Sequence, residues 1–192
     1  MAIMILSMIA GASFTPLLDK KIGNKRNLYI IGTIIIVISS TIVLFIPYED
    51  LIPIFVVMAI SSFGIGITYV MIRSMLADTV EYGEWKTGLR GEGIIFSTFG
   101  VGNKLGYAVG GSLAAFLLAS ANYAPDIVQS QQVQNIVLYM LTLFPIIAGI
   151  LAAGTLLFYK IDSRYYNRIL RDIDDRASQT SGQPSSTMGG DN

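Results

Sequence analysis

Five long apolar runs, carrying a single charged residue between them, leave this chain few folds open. They cover residues 2–18, 28–46, 51–72, 94–120 and 133–159. A helix needs about 20 apolar residues to cross a bilayer core. Lipid offers no partner to a free backbone N–H or C=O, so runs of this kind form helices that bond internally. Gly64, Gly66 and Pro145 lie inside them, and both residue types are tolerated in membrane helices. Composition points the same way, with 14% of residues charged against about 25% in a soluble domain. The expected fold class is an all-α membrane protein with about five transmembrane helices and the lipid bilayer as its first partner.

Several function classes fall away. The formal net charge is +0, which gives no reason to expect a nucleic-acid partner. There are no cysteines and no histidines. Disulfides, thiolate or imidazole metal sites and His-dependent nucleophiles are therefore excluded. No nucleophile–base pair or metal-ligand cluster is visible, so neither an enzyme nor a bound metal or cofactor is expected. The first run could be a signal peptide, with Ala10-Gly11-Ala12 as its cleavage site. A signal peptide needs basic residues before its apolar segment, whereas Lys20, Lys21, Lys25 and Arg26 follow it here.

The basic residues set an orientation. Residues 19–27 hold Lys20, Lys21, Lys25 and Arg26, and Arg73, Lys86 and Arg90 flank or enter the stretch 78–92. Five more lie from Lys160 onward, while residues 47–50 and 121–132 hold none. By the positive-inside rule the C-terminus is cytoplasmic and the N-terminus outside. Five crossings is an odd number, and Met1 starts almost inside a span, so an upstream part is expected. Residues 160–176 place Ile161, Tyr165, Ile169 and Ile173 at four-residue spacing against Arg and Asp. They read either as a cytoplasmic amphipathic helix or as a solvated extension of the fifth span. Residues 177–192 are poor in apolar side chains and are expected to be disordered.

The one charge inside a run is Lys104. It lies about 15 Å or more along the helix from either end of its run, at 1.5 Å per residue. An ammonium at that depth costs at least ~2.5–3.5 kcal/mol and ordinarily faces a polar cavity or a buried partner. It could instead be paired purely for packing, or held neutral by desolvation. No Asp or Glu lies at comparable depth, so the opposing wall is expected from another segment. Gly102, Gly106 and Gly110 form a small-residue stripe on the same helix, of the kind that lets two helices approach closely. Lys104 points roughly 160–200° away from it, with Asn103 on its flank. Tyr69 sits about two turns from the cytoplasmic end of the third run and could stack on a sugar or fill a helix interface. The stretch from Asp78 to Glu92 reads as a loop dense in charge: Asp78, Glu81, Glu84, Lys86, Arg90 and Glu92. Its ion pairs could hold two helix bundles together on one side, or be solvated pairs worth little.

Taken together, ADTVEYGEWKTGLRGEG and the glycine-rich run after it resemble the glycoside–pentoside–hexuronide:cation symporters, the melibiose permease-like branch of the major facilitator superfamily. The matching positions are Ala77, Asp78, Val80, Glu84, Gly88, Arg90 and Glu92, with Lys104 at the family's lysine and Tyr69 at its sugar-stacking tryptophan. The basic stretch Asp19 to Arg26 is similar to the superfamily's loop between helices eight and nine, with looser spacing. The resemblance covers Met1 to about Arg176. It implies a major facilitator C-terminal bundle, the five runs being helices eight to twelve of twelve, in a bacterial inner membrane. It implies Lys104, Tyr69 and Asn103 as the C-terminal wall of a sugar cavity. It further implies Asp19 and the charges of residues 78–92 as a cytoplasmic gate. A coupling Na⁺ or H⁺ would bind the missing N-terminal bundle, supplied in cis or in trans. The leading expectation is part of a cation-coupled sugar or glycoside symporter working by alternating access and not active alone. The alternatives are a non-transporting partner subunit, an inactive truncated product, or the same fold carrying a lipid or another solute.

Overall fold

The computed structural model describes residues 1–47, 50–124, 130–156, 159, 165–166, 168–173 and 175. Five helices follow one another: α1 (Ala2–Ile22), α2 (Lys25–Val43), α3 (Leu51–Thr87), α4 (Glu92–Ser120) and α5 (Gln131–Leu156). The expected tail at 177–192, and Ile161 of the expected amphipathic stretch, lie outside the described residues. Four helices, α1, α2, α3 and α5, are long and apolar enough to cross a membrane. α4 is long enough, but its glycines, Asn103 and Lys104 hold its hydropathy below theirs.

The breaks between helices follow local chemistry. α1 ends at Gly23, whose φ of 65° is a left-handed conformation that glycine adopts without strain. Lys20 and Lys21 lie in that last turn, where cations offset the carbonyl end of the helix dipole. Asn24 then caps α2, its side-chain oxygen accepting the N–H groups of Arg26 at 3.0 Å and Asn27 at 3.4 Å. α3 stops the same way as α1, at Gly88 with φ 73°.

α3 is the central element, packed along both α1 and α2, and α5 lies against α2. Bare backbone makes these contacts possible. A Cβ on Gly11 would meet the Phe63 carbonyl, and one on Gly66 the Met8 carbonyl, so α1 and α3 touch backbone to backbone. Gly32 and Gly64 do the same for α2 and α3. Leu28, Ile67 and Met71 form the buried core there, with Leu18, Ile22, Tyr29, Ile35, Phe63 and Val70 around them. The outer surfaces stay apolar, as at Ile5, Ile9 and Phe14 on α1, Ile34 and Ile38 on α2, and Ile147, Ile150 and Leu151 on α5. Such a skin suits lipid rather than water.

One expectation is corrected. The stretch from Asp78 is not a loop, because α3 runs on to Thr87 and only residues 88–91 connect it to α4. The physical reason is a stripe that outlasts the apolar run. Met71, Met75, Asp78, Tyr82 and Trp85 recur every three or four residues, the spacing of one helix face, with no proline to interrupt it. The glycine stripe of α4 makes no helix contact within the described residues. A Cβ at Gly102, Gly106 or Gly110 would meet nothing within 4 Å, and α4 has no buried residue.

Candidate functional site

The helices turn back on themselves so that the charges collect at one end of the bundle. The C-terminus of α1, the N-terminus of α2, the last four turns of α3 and the segment after α5 meet there. At its centre is Asp78, a carboxylate only 3% exposed. Its Oδ1 takes the Lys25 ammonium at 2.7 Å, and its Oδ2 accepts the Tyr159 hydroxyl at 3.2 Å. The same ammonium sits 4.9 Å from the centroid of the Tyr166 ring, a cation–π distance. Burial, then Asp78, pushes the Tyr159 hydroxyl well above the ordinary tyrosine range. Burial, then Glu81 and Asp78, does the same to Tyr166. Both phenols thus hold their protons more tightly than a free tyrosine, and Tyr159 donates to Asp78.

A second layer braces the first. The Trp85 indole N–H donates to Asp172 Oδ2 at 3.0 Å. Tyr82, Trp85 and Tyr165 contact one another with ring centroids 6.1–6.4 Å apart, and Ile169 is fully buried. The segment around 165–173 is therefore docked on α3. A removed partner here is costly, because a buried carboxylate stripped of its cation loses about 3–5 kcal/mol.

The other expected gate residues are more loosely held. Arg90 bonds Glu84 at 3.0 Å and Glu92 at 3.5 Å, and those carboxylates, Glu84 first, raise its already high affinity for a proton. These three residues are neighbours across the α3–α4 turn, largely in solvent, where pairs contribute little. Lys86 is exposed, and Asp19 is half-buried, its backbone carbonyl taking the Gly23 N–H at 2.8 Å. All the ion pairs seen lie inside this one bundle.

The expected sugar wall is not assembled among the described residues. Lys104 and Asn103 are exposed on α4. Tyr69 is 47% exposed on α3, its hydroxyl accepting from Arg73 at 2.9 Å and its ring 4.9 Å from that guanidinium. The sequence reading missed Lys25 as the partner of Asp78, and Tyr159, Tyr166, Trp85 and Asp172 altogether. The stripe of Met75, Asp78, Tyr82 and Trp85 was the available signal, since a helix face of that kind needs something to cover it.

The chain matches the family described as MFS/sugar transport protein over residues 1–163. It is 32% identical to a glucuronide carrier protein homolog of Escherichia coli K12, over 90% of this chain and 37% of that protein. It is also 32% identical to an isoprimeverose transporter of Lactiplantibacillus pentosus, over 91% of this chain and 36% of that one. A putative sulfoquinovose importer of Salmonella typhimurium matches at 29% over 88% of the chain and 36% of its own length. The chain thus spans little more than a third of the length of these relatives.

Proposed function

Because the chain belongs to the MFS/sugar transport protein family, we propose that it forms one wall of a transporter that carries a sugar or glycoside across a membrane. The observation that carries this is the match over residues 1–163 joined to relatives named for glucuronide, isoprimeverose and sulfoquinovose. On this reading the helices are the eighth to twelfth of a major facilitator, and the charged end faces the cytoplasm. The opposing bundle lies in polypeptide beyond these 192 residues and brings the site for a coupling Na⁺ or H⁺. The two bundles rock about a site near the bilayer midplane, and the outlying α4 turns Lys104, with Asn103, toward it. Tyr69 offers the sugar an aromatic face from α3. A glucuronide bears a carboxylate, and an ammonium in a membrane-depth cavity favours such an anion.

The charged end is the gate of this transporter. Asp78 is already committed to Lys25 and Tyr159, so its part is to hold α2, α3 and the segment after α5 as one rigid body. Glu84, Arg90, Glu92, Lys86 and Asp19 are the groups left to meet the other bundle, whereas Glu81 is turned inward beside Tyr166.

The test is uptake of a radiolabelled glucuronide by vesicles from cells producing the chain together with a polypeptide carrying the remaining helices of a relative. Uptake is expected only with both, driven by a Na⁺ or H⁺ gradient. Lys104→Ala is expected to lower it about tenfold or more, the loss of one charge-assisted contact. Failure to take up any of the three named sugars, with both polypeptides in the membrane, sinks the reading. Unchanged uptake by the Lys104 variant removes that residue from the site.

A further inference from the structure

A cavity of about 570 Å³ lies inside the bundle at the end away from the charges, within the 300–1,000 Å³ range typical of ligand pockets. α2, α3 and α5 supply most of its wall, and Met4 of α1 one side. The wall is chiefly aliphatic, from Ile36, Val57, Ile65, Val137 and Leu141 among others, and among the described residues no charged side chain lines it. Its hydroxyls belong to Tyr123 and to four serines, Ser39 and Ser40 on α2 and Ser61 and Ser62 on α3. The register of these two antiparallel helices brings the serines together. A Cβ on Gly32 would meet Gly64 and Thr68, and one on Gly64 would meet Ile36. One turn further along α2 is one turn back along α3, so Ser39 comes level with Ser61.

Three of these hydroxyls are unusual. A serine or threonine in an apolar helix commonly bonds back to the carbonyl one turn earlier. Thr33, Thr41, Ser62 and Thr142, in the same three helices, do so. Ser39, Ser40 and Ser61 have no hydrogen-bond partner among the described residues, although Ser39 and Ser40 are only 3% and 5% exposed. Buried hydroxyls of native proteins ordinarily find a partner, whereas these three serines line the cavity and their oxygens are not among the fully enclosed atoms. Water alone fits this space badly. At about 30 Å³ each, well over ten molecules would be needed, and each needs two to four polar partners where the wall offers few.

We propose that this cavity binds one neutral single-chain amphiphile from the bilayer, of the monoacylglycerol class. Its hydroxyl head bonds Ser39, Ser40 and Ser61, and its chain lies along the aliphatic wall of α3 and α5. Hydroxyls and an amide are the polar groups that the described wall offers, and they suit a neutral hydroxyl head. The apolar outer faces of the helices put the bilayer beside the cavity as the source. The site is separate from Lys104, Tyr69 and the charged end, and it stands or falls independently of the transport reading.

The experiment places the 192-residue chain in phosphatidylcholine nanodiscs with a diazirine-bearing monoacylglycerol, or with a diazirine alkane of matched length. Crosslinks are mapped by mass spectrometry. The monoacylglycerol is expected to label residues 54–65 and 133–145, and the double change Ser39→Ala, Ser40→Ala to cut that labelling about tenfold, the effect of two lost hydrogen bonds. Alkane labelling should be unaffected by the same change. Val57→Phe fills the cavity and is expected to block both probes, which keeps the test alive should the double variant not fold by circular dichroism. Three results overturn the proposal: equal labelling by both probes with no effect of the serine changes, labelling confined to the outer faces, or no monoacylglycerol labelling of residues 54–65 and 133–145 in the folded wild-type chain.

Discussion

Lys25 is the residue whose loss the charged end tolerates least. Lys25→Ala leaves Asp78 buried with only a tyrosine donor, and the expected cost is about 3 kcal/mol or more. Thermal unfolding in detergent checks it, with Lys25→Arg, which keeps the cation, retaining most of the stability. The two raised tyrosines give a pH signature. A phenol whose folded affinity for its proton exceeds its ordinary value of 10.0 stabilises the fold at every pH below that value. The contribution is lost as pH rises past 10.0, because the unfolded state then releases a proton that the folded state still holds. Stability is therefore expected to be level up to about pH 9 and to fall above 10. Tyr159→Phe and Tyr166→Phe should each flatten that fall; an unaltered alkaline limb in both would mean the phenols are not held as described. Glycines divide in the same residue-by-residue way. Gly66→Ala drives a methyl into the Met8 carbonyl and should destabilise by about 1–3 kcal/mol, the range for overpacking. Gly106→Ala meets open space and should gain up to about 1 kcal/mol of helix propensity.

Among the elements, α3 departs furthest from what its hydropathy implies. Its first two-thirds are a membrane span, and its last four turns are a post on which the 165–173 segment docks. There Ile169 is buried and the Trp85 indole bonds Asp172, so this part of the tail packs on α3. Trp85→Ala removes a hydrogen bond and two ring contacts at once. Hydrogen exchange across residues 75–87 should then speed up, while exchange in α1 stays unchanged. Equal protection in the variant would show that α3 keeps its last turns without the segment.

Across the whole molecule, α1, α2, α3 and α5 make a bundle with an apolar skin, and α4 stands off from it. α4 has no buried residue and its glycine stripe meets open space; on the proposed reading this is the helix that meets the opposing bundle. Because the chain lacks cysteine, single replacements report on it cleanly. A cysteine placed at Gly106 is expected to react with a membrane-permeant maleimide in the chain alone and to be protected when the complementary polypeptide is present. A cysteine at Thr15, which is fully buried between α1 and α3, should be protected in both. Reaction at position 106 that the second polypeptide leaves unchanged would mean that the stripe packs against nothing.

What the sequence determined by itself is what one-dimensional pattern controls. Apolar runs without charge must become helices in lipid, and the confinement of Lys and Arg to alternate connections brings all the charged ends together. The motif from Ala77 to Glu92 marked the family, and the position of Lys104 marked α4 as the helix that differs. The tertiary structure decided everything that depends on which faces meet. Asp78 has charged neighbours in sequence, yet it pairs with Lys25, 53 positions away, because α2 and α3 are brought into register by glycines that permit backbone contact. Tyr159 and Asp172 reach α3 only because its stripe of Met75, Asp78, Tyr82 and Trp85 remains helical beyond the apolar run. The three unpartnered serines were legible only as small polar residues; their shared cavity exists because two antiparallel helices place residues 39 and 61 side by side. Spacing along a chain fixes the face on which a residue lies, and only packing fixes what that face meets.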